Sequence, residues 1–194
     1  MRHDRGFTIT EIAVCIAIVL ILAMISIVVV PKVIIASKGN ACVGNLRSIY
    51  VGAKLYASDH DDRLPPYGFE TFGPIREGRQ QFITALTGYG VVTNSFRCPL
   101  DTRFGTQAMG EFHVFDVTSY WLSWDVYSAA KKFSKRANEL SFAAFENPST
   151  SMFLLDQTFL EETEHGVQRK SAHDGFTNVL YADGRIKSEP VPKP

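Results

Sequence analysis

The chain of 194 residues carries 20 Lys and Arg against 20 Asp and Glu, a formal net charge of zero at pH 7, and 45% of its residues are apolar. That length holds one domain with a core, or such a domain and an appendage, and is too short for a large multidomain enzyme. The charge balance argues against a dedicated binder of nucleic acid or anionic membranes, whose footprint is a basic excess.

The apolar load is uneven. Arg2 and Arg5 precede Gly6-Phe7-Thr8-Ile9-Thr10-Glu11, and from residue 12 to residue 30 every position except Ser26 is apolar. As a helix these nineteen residues rise about 28 Å, enough for a hydrocarbon core of roughly 30 Å. A cleavable secretory signal is a poorer fit, because its apolar core is about 7 to 15 residues long and ends in an A-x-A-like site. Nothing of that form follows Val30, and Gly39-Asn40-Ala41-Cys42 lacks the Leu of a lipoprotein signal. An uncleaved anchor is the plain alternative. Charge does not orient the span, since Arg2 and Arg5 on one side face Lys32 and Lys38 on the other. Glu11 is out of place for an anchor, because a carboxylate at that depth costs up to about 3 kcal/mol unless it is paired. A cut after Gly6 would place a new α-amino group on Phe7, one helical turn before Glu11, as a cation at the same level.

From residue 31 to residue 58 the pattern becomes one-sided. Cys42, Leu46, Ile49, Tyr50, Ala53, Tyr56 and Ala57 recur at three and four, so the apolar helix is expected to continue into a globular domain. Gly39, Gly44 and Gly52, each about 1 kcal/mol worse than Ala in a helix, predict bends or local melting. The run Asp59-His60-Asp61-Asp62-Arg63-Leu64-Pro65-Pro66 is expected to end the helix by charge and then proline. Residues 79–89 place Phe82, Ala85, Leu86 and Tyr89 on one face of a second helix, closed at Gly88 or Gly90. Tyr120, Leu122, Trp124 and Val126 alternate with Trp121, Ser123 and Asp125, which predicts a strand. Residues 151–157 form a compact apolar run after the turn Asn147-Pro148-Ser149, and residues 178–182 and 185–188 flank Asp183-Gly184 as a hairpin with a two-residue turn. The expected fold is α+β: one long N-terminal helix, transmembrane and then amphipathic, packed on a small antiparallel sheet. No internal repeat is present, and residues 190–194 read as a tail.

The opening Gly6-Phe7-Thr8-Ile9-Thr10-Glu11 and its apolar run resemble the class III signal of type IV pilins and type II secretion pseudopilins. In that family a prepilin peptidase cuts after the glycine, methylates the new N-terminal Phe and leaves a glutamate as the fifth mature residue. The resemblance implies that Gly6 is the cleavage position, Phe7 the N-methylated residue and Glu11 the assembly glutamate. It implies as partners the peptidase, other pilin or pseudopilin subunits and an inner-membrane assembly platform. It also implies a single-pass protein of the bacterial inner membrane with a periplasmic C-terminal domain, which then enters a filament.

Further on, Cys42-Val43-Gly44-Asn45-Leu46-Arg47 and Arg63-Leu64-Pro65-Pro66 resemble the C-x-x-N-L-(K/R) helix and G-R-x-P-P exit of a bacterial prepilin-like subfamily. Phe96-Arg97-Cys98-Pro99-Leu100-Asp101 resembles its C-P-x-D segment, and His173 with Asp183-Gly184 its H-x9-D-G element. Two positions depart from the pattern. Pro31 stands three positions later than the usual pilin proline, which predicts a displaced kink, and Asp62 stands where the subfamily tends to place Gly. The implied division is a leader at 1–6, a transmembrane helix at 7–30, its continuation at 31–60, a periplasmic domain at 61–189 and a tail at 190–194.

Candidate chemistry outside the N-terminus is sparse. Cys15 lies in the apolar run and reads as a small apolar residue. Cys42 and Cys98 would lie on the outer side of the membrane, where disulfides persist. A bridge between them would close a loop of about 55 residues and contribute about 4 kcal/mol, with two free thiols as the alternative. A Cys-His-Asp nucleophile would draw on Cys98 with His113 or His173, but no flanking signature accompanies it. His173 is instead expected to cap or bond a loop near the Asp183 turn. Asp59, Asp61 and Asp62 form a weak calcium candidate without the Gly and distant Glu of an EF-hand, and a solvated helix end is favoured. Lys131, Lys132, Lys135 and Arg136 read as an exposed face that keeps a DNA-uptake pilin as an alternative, although no nucleic acid is expected.

The function expected is therefore that of a structural filament subunit, not an enzyme, with no cofactor and no metal. The rival from another class is a membrane-anchored periplasmic binding domain or enzyme that never polymerises.

Overall fold

The computed structural model describes residues 8–67, 75–101, 118–132, 140–156, 158–163, 166–171, 173 and 175–191. It divides into two compact units, Met1–Ser37 and Lys38–Pro194. A single helix, α1 (Ile9–Asp59), supplies residues to both. In the first unit its large apolar side chains are exposed all round, from 47% at Val29 to 87% at Ile9, and the helix is long and apolar enough to cross a membrane. Pro31 lies inside it, removing the N–H that would bond the Ile27 carbonyl without ending the helix.

In the second unit the same helix acquires a face. Cys42, Leu46, Ile49, Gly52, Ala53 and Ala57 are buried, at the spacing that puts them on one side. They share a core with Phe82 and Leu86 of α2 (Ile75–Thr87), with Val91 and Phe96 of the following segment, and with Phe142. The expected local melting at the helix glycines does not occur, because α1 runs through Gly39, Gly44 and Gly52 without a break. At Gly52 the reason is packing. A Cβ there would stand 2.3 Å from Cγ2 of Val91, so the missing side chain lets the 91 segment close on the helix. A Cβ on Gly44 would meet nothing beyond its own helix within 4 Å.

The helix ends differently from the expectation of charge followed by proline. Asp61 and Asp62 both adopt left-handed backbone, with φ of 54° and 58°, and the Asp62 amide donates to the Ala57 carbonyl at 2.8 Å. This is the six-to-one closure of a Schellman cap. Aspartate tolerates the conformation because its short polar side chain bonds locally, so the turn forms at Asp62 without a glycine.

The remaining strands are β1 (Tyr120–Leu122), β2 (Met152–Asp156), β3 (Thr158–Thr163), β4 (Gly166–Ser171), β5 (Phe176–Tyr181) and β6 (Ile186–Pro190). β1, β2, β5 and β6 form an antiparallel four-stranded sheet in the order β1-β2-β5-β6, with Trp121 opposite Leu155, Leu155 opposite Val179 and Leu180 opposite Ile186. β3 and β4 pair as a separate hairpin in the chain between β2 and β5. One long helix and a small antiparallel sheet make the protein α+β.

Two local expectations are corrected. The strand expected over 120–126 stops at Leu122, and α3 (Trp124–Lys132) begins two residues later. The Ser123 amide bonds the Phe153 carbonyl, its hydroxyl bonds the Met152 carbonyl, and the Asp125 carboxylate accepts the Met152 amide at 2.8 Å. Val126 belongs to a three-and-four spacing with Ala129 and Ala130, and that period wins over the period of two. The hairpin turn is also longer than two residues. The Tyr181 amide bonds the Arg185 carbonyl at 2.8 Å and Gly184 has φ of 89°, which makes a three-residue loop with a glycine bulge. Asp183 keeps a negative φ, whereas a two-residue type I′ turn needs positive φ at both central positions.

The two helix glycines make opposite predictions. Gly44→Ala should stabilise the full chain in detergent by up to about 1 kcal/mol, whereas Gly52→Ala should destabilise it by about 1 to 3 kcal/mol through overpacking against Val91. Thermal unfolding midpoints that move in the same direction for both variants contradict this packing.

Candidate functional site

Two places gather the residues singled out from sequence, one in each compact unit. At the start of α1, Thr8 and Glu11 bond reciprocally. The Thr8 amide and hydroxyl donate to Oε2 of Glu11 at 2.8 and 2.7 Å, and the Glu11 amide donates to Oγ1 of Thr8 at 3.3 Å. Thr8-Ile9-Thr10-Glu11 is thus a capping box, with the hydroxyl and carboxylate satisfying amides that the first helical turn leaves orphaned. Spacing alone carries this signal, a hydroxyl residue three positions before an acid at the head of an apolar run. Oε1 of Glu11 has no partner among the described residues, so the carboxylate caps its own helix with one oxygen while the other stays open. Gly6 and Phe7 lie outside the described residues.

In the second unit, Cys42 and Cys98 are joined by a disulfide with a Cα–Cα distance of 5.0 Å across a sequence separation of 56. One helical turn on, Asn45 Nδ2 donates to the Arg97 carbonyl at 2.8 Å. The C-x-x-N pattern of α1 therefore grips the 96–98 segment twice, covalently through Cys42 and by a hydrogen bond through Asn45. Cys98-Pro99-Leu100-Asp101 turns immediately, with the Asp101 amide on the Cys98 carbonyl at 2.9 Å and proline at the second position, where its fixed φ suits the turn. On its other side the segment is held by Thr118 and Ser119, whose hydroxyl and amide both donate to the Phe96 carbonyl.

His173 stands against this disulfide. Its Nε2 lies 3.4 Å from Sγ of Cys98, 2.9 Å from Oδ2 of Asp156 and 3.2 Å from Nδ2 of Asn178. Asp156 is only 1% exposed, and its Oδ2 also accepts the Asn178 amide at 3.0 Å and Nδ2 at 2.9 Å. An ionised carboxylate accepts but does not donate, which assigns the proton of neutral His173 to Nε2. The buried charge is thus met by three donors, while its Oδ1 has no partner among the described residues. Burial, with the Asp156 carboxylate nearby, pushes the Tyr120 hydroxyl well above its ordinary pKa. It stays protonated and points to the Cys42 carbonyl.

The contacts of His173 correct the expected place near the Asp183 turn, since the two stand at opposite ends of β5. The turn docks elsewhere. Tyr50 of α1 donates its hydroxyl to the Ala182 carbonyl at 3.2 Å, the Asp183 amide bonds the Pro148 carbonyl, and a Cβ on Gly184 would lie 2.5 Å from Cε1 of Tyr50. His173 and Gly184 therefore both meet α1, His173 near Gly39 and Cys42 and Gly184 at Tyr50, so the ten residues between them measure β5 against the helix.

The remaining candidates stay apart. Cys98 and Asp156 both approach Nε2 of His173, whereas a nucleophile–histidine–acid relay uses opposite ring nitrogens, and the Cys98 sulfur is bonded to Cys42. Asp61 faces Arg63 at 3.7 Å and Asp62 faces Lys54 at 4.0 Å, exposed pairs at the helix end that Asp59 closes. Among the described residues, the one group of three metal-type ligand atoms that converges is that of Cys42, Cys98 and His173, all within 4.8 Å of one another. Lys132 pairs with Glu146, and Cys15 is a free, exposed thiol on α1. His113, Lys135 and Arg136 lie outside the described residues, as does the side chain of Lys131.

In comparison with known proteins, residues 1–27 fit the prokaryotic N-terminal methylation motif. The chain carries this prepilin-type motif, and its residues include Gly6, Phe7, Glu11 and much of the apolar run. No curated protein and no solved structure matches.

The covalent grip predicts a thiol count. Denatured without reductant, the chain should expose one reactive thiol, Cys15, and after reduction three. Three thiols before reduction contradict the bridge. Gly184→Ala should cost about 2 kcal/mol or more, since both its positive φ and the Tyr50 ring oppose a side chain. An unfolding midpoint equal to that of the parent chain contradicts this docking of the turn.

Proposed function

We propose that this protein is a subunit of a type IV pilus-like or pseudopilus filament, cut between Gly6 and Phe7 by a prepilin peptidase and held in the polymer by its N-terminal helix. The observation that carries the proposal is the methylation motif at residues 1–27, standing at the head of a helix whose apolar side chains are exposed all round. Surface of that extent needs lipid before assembly and neighbouring helices afterwards. The precursor resides in the inner membrane, with the domain that follows the span on the periplasmic side, and passes to the filament from an assembly platform. No catalytic step and no cofactor belongs to this role.

The capping box refines how Glu11 acts. Oε2 is committed to Thr8 of the same chain, which holds the carboxylate at the level of the first helical turn. Cleavage creates a Phe7 ammonium, and when it is brought beside Oε1 by a neighbouring subunit, two charges that are each costly in hydrocarbon cancel. Registry between helices is thus selected at a single level, because a misaligned neighbour leaves both charges unpaired.

The two roles of Glu11 separate in two variants. Glu11→Gln retains a side chain able to cap, as glutamine serves in a capping box, but abolishes the charge, and Glu11→Ala removes both. If charge pairing governs assembly, both variants are cleaved normally and both yield few filaments. Filaments from Glu11→Gln at the parent level, by electron microscopy and shear yield, contradict the charge-pair mechanism and leave the cap as the reason for the glutamate.

A further inference from the structure

We propose that Cys42, Cys98, His173 and Asp156 form a binding site for a thiophilic divalent cation, of which zinc is the fitting class, in the chain whose disulfide is open. The donor set is two thiolates, an imidazole and a carboxylate, the mixture of sulfur, nitrogen and oxygen that tetrahedral zinc takes. Three of the four groups already converge, and the fourth touches one of them. The two sulfurs and the His173 nitrogen lie within 4.8 Å of one another, Sγ of Cys98 is 3.4 Å from Nε2, and Oδ2 of Asp156 is 2.9 Å from the same nitrogen. Zinc bonds of about 2.0 to 2.3 Å in a tetrahedron separate the ligand atoms by roughly 3.3 to 3.8 Å. The histidine and the acid need to part by a few tenths of an ångström, the sulfurs need to lose their bond and turn away from each other, and the Asp156 carboxylate, which is not among the atoms within 4.8 Å of one another, needs to move in toward them.

The surroundings suit a closed structural site. Cys42, Cys98 and Asp156 are at most 1% exposed, so water does not compete for a coordination position. The two donors of Asn178 steady the carboxylate from outside, the arrangement that orients a metal ligand. Asp156 has a further oxygen, Oδ1, with no partner among the described residues, which no disulfide explains. A disulfide ties α1 to the 98 segment alone. A cation would tie both to β2 and to the residue that precedes β5, fixing the sheet on the helix at one point.

The chemistry balances in either direction. A newly translocated chain carries two thiols, and Zn²⁺ displaces their protons to solvent as two Zn–S bonds form, while the proton of His173 moves to Nδ1 so that Nε2 can ligate. Starting from the disulfide, a dithiol reductant supplies the two electrons and two protons that open the S–S bond and is itself oxidised to a disulfide, after which the cation enters. A disulfide oxidant that takes the two electrons of the thiolates, and is itself reduced to a dithiol, reforms the S–S bond and expels the cation. The disulfide and the metal are therefore mutually exclusive occupants of one locus.

The test uses the full-length chain in detergent in a Cys15→Ser background, so that only two thiols remain, with Co²⁺ as the spectroscopic stand-in for zinc. After reduction with a phosphine, one cobalt per chain should bind, with a thiolate-to-metal charge-transfer band and tetrahedral ligand-field bands, and zinc should displace it. The oxidised chain should show neither band. His173→Ala and Asp156→Asn should each weaken binding by about tenfold or more. The further variant Cys42→Ser, which cannot close the bridge to Cys98, should show a weaker charge-transfer band without any reductant. Absence of the thiolate band from the reduced chain, its presence in the oxidised chain, or parent affinity in His173→Ala would overturn the proposal.

Discussion

Between residues 12 and 30 the chain carries apolar surface that none of its described residues covers. The exposed fractions stay at about half or above for Ile12, Val14, Ile16, Val19, Met24 and Ile27, and no arrangement of a single chain in water accommodates that. The constraint decides what the helix is for. It must exchange lipid for other helices or remain in lipid, and a carboxylate at its head biases the choice, because Glu11 is costly in hydrocarbon and favourable beside a cation. From Cys42 onward the same backbone carries a different design, with small and branched side chains on one face buried against α2, the 96–98 segment and the sheet.

How the second unit holds its helix follows from two short contacts. Cys42 and Asn45, one turn apart, fasten the segment at 96–98, and the hairpin of β5 and β6 meets α1 at Tyr50 through a glycine with no room for a side chain. The buried Asp156 is the most demanding group near them, since a carboxylate out of water is tolerated only where donors replace its hydration. Asn178 and His173 supply those donors from the strand beside it and from the residue that leads into that strand. This gives His173 a structural reason to stand beside the disulfide, quite apart from any chemistry.

Much of this was legible in the residues, and the failures have physical causes. The three-and-four spacing of Cys42, Leu46, Ile49, Ala53 and Ala57 was enough to carry α1 into the core, and the strong apolar face of Phe82 and Leu86 was enough for α2. Gly52 misled because helix propensity counts only what glycine loses in entropy and not what its absent side chain permits, here the approach of Val91. The strand at 120–122 was overextended because Val126 fits two periods, and a tertiary bond from Asp125 to the Met152 amide settles which one applies. The β3–β4 hairpin went unanticipated, since a sequence as polar as Thr158–Thr163 and Gly166–Ser171 offers no alternating apolar face. Asp156 was overlooked for a different reason. A buried acid is recognisable only with its partners, and these lie 17 and 22 positions further along the chain.

The central claim is that the chain is processed and polymerises, with the helix start exposed by cleavage as its joining surface. Mass measurement of the N-terminus of the protein taken from its native membrane tests this most directly. The account predicts a chain that begins at Phe7 with one added methyl group on its amine. A chain that still begins at Met1, with residues 1–6 in place, would contradict it and identify the helix as a permanent anchor.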